Sequence, residues 1–259
     1  MEQVHSELTV NDILEAGRMR EQLLIARRIQ HGFLPKAPPG LQGFEIEGWN
    51  EPCHEAGGDY YDFMRLSGGR LAIAIGDVAS HGIGPALLMA TARAALRALL
   101  QLATGPGDVL SRLNDVLVED MQDDHFMTMF LGIIDLATKK MRYAIAGHER
   151  PMHLSADGTV SYLDIHGLPL GIHRGIEYEE GKPVSLRSGD LAACLTDGIW
   201  EATNRNDEEF GYDRLTQVLV QNRSRSAAHV VHAVRSEVQE FTAGNKQHDD
   251  LTLMVLKVS

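Results

Sequence analysis

Two stretches with helical spacing, each long enough for a pair of helices, interrupt a chain that otherwise reads as short apolar runs closed by turn residues. That alternation leaves few folds open. From Phe44 the runs FEIEGW, YYDFMRL and RLAIAIGDV follow one another around a Ser67-Gly68-Gly69 turn, the pattern of strand, hairpin and strand. Gly82-Ile83-Gly84-Pro85 then leads into ALLMATARAALRALLQL, whose Ala and Leu content and early proline predict a long helix. After Gly105-Pro106-Gly107, the apolar residues Val109, Leu110, Leu113, Val116, Leu117 and Met121 recur at three and four, as on one buried helical face. Strand-like segments return from 126 to 195 as FMTMFLGIIDL, KMRYAIAG, PMHLSA, VSYLDI and DLAACLTDG. A polar loop from Thr203 to Glu209 precedes two more helical patterns, one through Tyr212, Leu215 and Leu219, the other through Ala227, Val230, Val234, Val238 and Phe241. LTLMVLKV closes the chain. Strands in this order must bury their apolar faces on one another and on helices, so the expected class is α+β, with stacked sheets covered by helices.

The first forty residues read differently. Residues 8 to 34 have the look of one helix, with Leu23, Leu24, Ile29 and Phe33 set among Arg and Glu, and it stops at Leu34-Pro35-Lys36-Ala37-Pro38-Pro39-Gly40. The expected division is a helical linker or regulatory segment over 1–40 and one domain over 41–259, a length that buries a substantial core without staples. No run is long enough to span a bilayer, and MEQVHSELTVND lacks the basic, apolar pattern of a signal peptide. Cys53 and Cys194 lie far apart and form no ligand-like or redox pair, which predicts free thiols and a cytoplasmic protein. Cys194, inside an apolar strand, reads as core.

A net charge of −12 works against a nucleic-acid backbone or an anionic membrane as partner. Acidity becomes useful if several acids converge. Four places set Asp beside Gly or a second Asp at the end or start of an apolar run: Gly57-Gly58-Asp59, Gly76-Asp77-Val78, Thr196-Asp197-Gly198 and Asp249-Asp250-Leu251. Any one of these is ordinary turn chemistry. Four together, against strands, predict a site for a hard divalent cation, which prefers a few carboxylates plus water. Spacing alone names no reaction.

The ordered set EAGGDYYDF, AIGDVASHG, FMTMFLGIID, IAGHERP, GLPLGI, LTDGIWEA, FGYDRL and DDLTLMVLK resembles the SpoIIE-like bacterial branch of the PPM-type (type 2C) protein phosphatases. The likeness runs from about Ile29 to Lys257 and includes an IQ…LLP segment as Ile29-Gln30 and Phe33-Leu34-Pro35. It implies an αββα sandwich with a helix pair on each outer face and a metal centre at one edge between the sheets. It further implies two divalent cations, manganese or magnesium. Asp77 would bridge both, Asp197 and Asp249 would complete one, and Asp59 with the Val78 carbonyl would serve the other. Asp250 is assigned a supporting hydrogen bond in preference to direct ligation, with the choice between Asp249 and Asp250 left open. The reaction implied is hydrolysis of phosphoserine or phosphothreonine by a metal-activated water, with no protein nucleophile. The implied substrate is a phosphorylated regulator of the anti-anti-sigma type.

His81 and His148 match family positions and are candidates to protonate the leaving oxygen or to orient a phosphate-bound water, against the plainer role of fixing loops. His54 matches none and reads as surface. Where the family has GDVSGHG this chain has Gly76-Asp77-Val78-Ala79-Ser80-His81-Gly82, so Ser80 is strained if that backbone needs positive φ. Ala56 likewise replaces a larger residue. Two other functions remain open at this point: a catalytically weak or dead fold that binds phosphoproteins, and a hydrolase of small phosphate esters. The N-terminal helix carries apolar residues that a free monomer would expose. It is expected to pack on the domain or to pair with a second copy as a regulatory input.

Overall fold

A computed structural model describes residues 10–36, 40–80, 82–102, 104–121 and 125–259. Its first sheet has the order β1 (Phe44–Glu51), β10 (Leu251–Val258), β9 (Leu191–Leu195), β6 (Met152–Leu154) and β7 (Val160–Tyr162). The second runs β2 (Tyr60–Leu66), β3 (Arg70–Val78), β4 (Met127–Asp135), β5 (Lys140–Ala146) and β8 (Val184–Ser185). Every named pair is antiparallel. The expected stacked antiparallel sheets are therefore present, and the alternation of side chains explains why they stack. On β10, Leu253 and Val255 join the cluster under helices α5 (Gly211–Asn222) and α6 (Ala227–Thr242), whereas Met254 and Leu256 join the layer shared with the second sheet. On β9 the same rule sends Leu191, Ala193 and Leu195 outward and Ala192 and Cys194 inward. Cys194 is a free thiol in the core.

Helices α2 (Ile83–Leu99) and α3 (Pro106–Asp120) cover the second sheet. Met89, Ala92 and Leu96 of α2, with Val109, Leu110, Leu113 and Leu117 of α3, are fully buried, in agreement with the helical spacing, whereas Val116, which that spacing also assigns to the buried face, is exposed. An ion pair on a buried carboxylate locks α2 down: Arg97 donates to both oxygens of Asp62 at 2.7 and 2.8 Å, and Tyr60 Oη donates to the same carboxylate at 2.6 Å. On the other face α6 starts at a Ser226 cap, whose side chain accepts from the His229 amide.

Helix α1 (Val10–His31) occupies most of the helical span read from the sequence; residues 8 and 9 of that span lie outside the described residues. Its side chains Leu14, Met19, Leu24, Ile25 and Ile29 are exposed. It meets the sandwich at its C-terminal end, where Arg93 of α2 donates to the Phe33 carbonyl at 3.0 Å and lies over the Phe33 ring.

Candidate metal centre

The two sheets bring their acids to one edge. Asp59 immediately precedes β2 and Asp77 is the penultimate residue of β3, so both come from the second sheet. Asp197 follows β9 and begins the short helix α4 (Gly198–Glu201), while Asp249 and Asp250 immediately precede β10, on the first sheet. Asp59 is buried, and its Oδ2 accepts from Thr196 Oγ1 at 2.8 Å and Thr252 Oγ1 at 2.5 Å. Each threonine stands near one of the predicted acids in sequence, and the pair ties Asp59 to both β9 and β10.

Glycines make the approach of the chains possible. A Cβ on Gly57 would lie 1.8 Å from Asp250 Oδ2, and one on Gly58 would lie 2.5 Å from the Val78 carbonyl oxygen and 3.2 Å from Asp77 Oδ1. The Asp250 carboxylate is buried between main-chain donors: the Cys53 amide gives to Oδ1 at 2.8 Å and the Asp59 amide to Oδ2 at 3.3 Å. Its own amide donates to Asp249 Oδ1 at 2.8 Å.

Burial first, then the charges of Asp77 and Asp250, raises Asp59 well above the ordinary carboxylate range, against the pull of the two threonine hydroxyls. Asp77 is pushed up to about 8 by burial and by Asp197 and Asp249. Asp197 is raised by burial and by Asp249. The charges acting most strongly on all three are other carboxylates. An all-oxygen donor set whose members repel one another suits a hard divalent cation, which would reverse the sign of those shifts.

Asp77, Thr128, His148, Glu149, Thr196 and Asp197 line a cleft of about 60 Å³ at this edge, room for a few water molecules. His148 is buried, with Nδ1 2.8 Å from Thr128 Oγ1, and burial pushes its pKa down to about 4, so the ring is neutral near pH 7. His81 lies outside the described residues. Ser80 has φ of +76°, the left-handed conformation in which a side chain is strained.

Three participants go beyond those the sequence motifs single out. Cys53 has no thiol partner in Cys194, yet its amide holds Asp250. Its Sγ, with one oxygen each of Asp249 and Asp250, forms a set mutually within 4.8 Å. Burial and Asp250 push its thiol up to about 12, and the exposed His54 places Nδ1 3.0 Å from the sulfur. Glu149, in the motif containing His148, accepts from Tyr212 Oη at 2.7 Å, and Tyr212 stacks on Trp200 of α4. Gln30 at the end of α1 closes a two-way clasp on Gly57, its Nε2 donating to the carbonyl at 2.5 Å and its Oε1 accepting from the amide at 3.1 Å.

Known proteins share both the sequence pattern and the architecture. The family model described as Stage II sporulation protein E (SpoIIE) matches residues 67–259. Protein IcfG of Synechocystis sp. is 29% identical over 93% of this chain and 42% of its own length. Phosphoserine phosphatase RsbU of Bacillus subtilis is 29% identical over 92% of this chain and 70% of its own. The chain thus spans less than half of IcfG. The SiaA-PP2C domain of Pseudomonas aeruginosa superimposes with a TM-score of 0.84 over 95% of this chain and 99% of that one, at 21% identity.

Proposed function

The chain belongs to the SpoIIE-like branch of the PPM-type metal-dependent protein phosphatases, and from that premise we propose that it hydrolyses phosphoserine or phosphothreonine on a regulatory protein. The observation that carries this is the meeting of Asp59 and Asp77 from one sheet with Asp197 and Asp249 from the other, acids whose neighbouring charges are chiefly more acids. Asp77 would be shared by two cations, with Asp197 and Asp249 on one side and Asp59 and the Val78 carbonyl on the other. Manganese or magnesium bound there supplies a water of lowered pKa and offsets charge on the phosphoryl oxygens. Asp250 supports the site: its two oxygens hold the Cys53 and Asp59 amides, which fixes the loop carrying Asp59. Thr196 and Thr252 fix the Asp59 carboxylate itself. Neutral His148 and Thr128 form one wall of the cleft, where the ring can hold a phosphate-bound water by hydrogen bonding. RsbU carries the name phosphoserine phosphatase, which supports the same substrate chemistry here. The family resemblance adds a small anti-anti-sigma-type protein as the proposed partner. Among the described residues no helix is long and apolar enough to cross a membrane, in keeping with a cytoplasmic setting.

Turnover of a phosphoserine protein should require added manganese or magnesium and vanish with chelator; chelator-resistant turnover overturns the reading. The crowded acids also set a pH dependence for chelated protein. A carboxyl whose folded pKa is raised stabilises fully below its unfolded value near 4, and that contribution is lost as pH rises toward the folded value. With Asp77 at about 8, metal-free protein should become less stable between about pH 4 and pH 8. Added manganese should reverse the trend in thermal unfolding.

The exposed apolar side chains of α1 and its clasp on Gly57 support a regulatory role for residues 1–40, with a second copy of the chain covering that helix. Light scattering of the full chain tests the pairing.

A further inference from the structure

The metal centre inferred above has oxygen donors throughout, yet its rim carries a thiol and an imidazole. Cys53 Sγ and one oxygen from each of Asp249 and Asp250 lie mutually within 4.8 Å, and His54 Nδ1 is 3.0 Å from the sulfur. Donors around a single tetrahedral ion with bonds of about 2.0–2.3 Å stand roughly 3.5 Å apart. Cys53 Sγ and the two carboxylate oxygens are within reach of one ion, and rotation of the exposed His54 side chain, whose ring sits against the sulfur, would add a fourth donor. The turn is held in advance, because the Cys53 amide is bonded to the Asp250 carboxylate. Cys53 and His54 are also reachable, being half-buried and exposed.

We propose that Cys53 and His54, with Asp249 and Asp250, form a mixed sulfur, nitrogen and oxygen site that captures a borderline-soft ion, zinc or cobalt(II), at the edge of the manganese or magnesium centre. The proposal rests on the phosphatase reading, since it makes the captured ion an inhibitor that ties Asp249 away from the catalytic pair. On capture the thiol gives its proton to the buffer and the sulfur lone pair forms the metal bond; nothing is oxidised. Hard cations gain little from such a set, because sulfur and imidazole ligands favour softer ions.

Cobalt(II) is the probe, added to the full chain and followed by absorbance. The expected result is a near-ultraviolet sulfur-to-cobalt charge-transfer band that is present in the native chain, persists in Cys194→Ser and is lost in Cys53→Ser, with circular dichroism confirming the fold of each. In parallel, the zinc concentration that half-inhibits manganese-supported turnover should rise by about 10-fold or more in Cys53→Ser, a scale on which even supporting groups alter metal affinity. A native chain that turns over with manganese but shows no band at saturating cobalt overturns this proposal alone, as does a band that survives in Cys53→Ser. Failure of every cation to support turnover overturns the reading beneath it instead, because the band needs no catalysis.

Discussion

Helix α1, with 22 residues, is longer than α6, with 16, and opposite to it in circumstance. Helix α6 buries Val230, Val234 and Val238 against the first sheet and starts at a side-chain cap, whereas α1 leaves Leu14, Met19, Leu24, Ile25 and Ile29 in solvent and is fastened mainly at its last turn. The first is structural cover whose energy is local. The second is held at its C-terminal end, by Gln30 on Gly57 and by Arg93 on the Phe33 that follows it, and Gly57 is the residue that lies against Asp250, so its position matters to the site more than to stability. The contrast separates what keeps the chain folded from what could tune its chemistry.

The largest effect should come from the site and leave both helices in place. Asp77→Asn or Asp197→Asn is expected to lower turnover by roughly a hundredfold or more with an unchanged circular dichroism spectrum, because ligand loss removes chemistry and not core. Near-native turnover in either variant contradicts the metal assignment.

Next comes the direct test of the contrast. Leu219→Ala, in the fully buried face of the α5–α6 pair, should cost about 2–5 kcal/mol in denaturant unfolding. Leu24→Ala in α1, 45% exposed, should cost under about 0.5 kcal/mol. Equal losses would mean that α1 is as much a part of the folded unit as α5. Gln30→Ala sharpens the comparison at the point of attachment: it should change stability by only about 1 kcal/mol yet measurably weaken manganese activation, since it frees the Gly57 loop. Deleting residues 1–28 should shift the protein toward monomer and alter its rate without abolishing metal binding. If light scattering and kinetics both stay unchanged, α1 is a passive cap.

The smallest effect concerns neither helix. Ser80 at φ +76° should yield about 0.4–1 kcal/mol of stability on conversion to glycine, read as a rise in thermal midpoint; a fall would mean that its side chain carries an interaction.

Much of this architecture is legible in the amino-acid sequence. Asp-Gly steps mark strand ends, apolar spacing marks the helix pairs, and a side chain where glycine is expected marks the strain at Ser80. Local sequence does not carry who meets whom across the chain. Phe44 pairs with Val258, a register fixed by burial of Phe44 and Ile46 on one face and not by any turn, so the neighbours of β1 are invisible locally. Cys53 looks idle when weighed against Cys194, because its relevance comes from Asp250, 197 positions away. Thr196 and Thr252 carry no signal of their own: a hydroxyl close to an acid is common, and only the fold aims both at Asp59. Helix α4 is too short for periodicity to reveal.

Gly48 in β1 has a wider consequence. A Cβ there would come within 2.2 Å of the Tyr61 ring, so a ring from the second sheet is keyed into a notch in the first. Because the acids are divided between the two sheets, their mutual spacing is a dimension of the whole sandwich, and slippage of one layer over the other would detune it. Tyr61 in its notch works as a detent against that slippage. A larger residue at position 48 would act as a shim, misaligning the centre from a distance while touching none of its ligands.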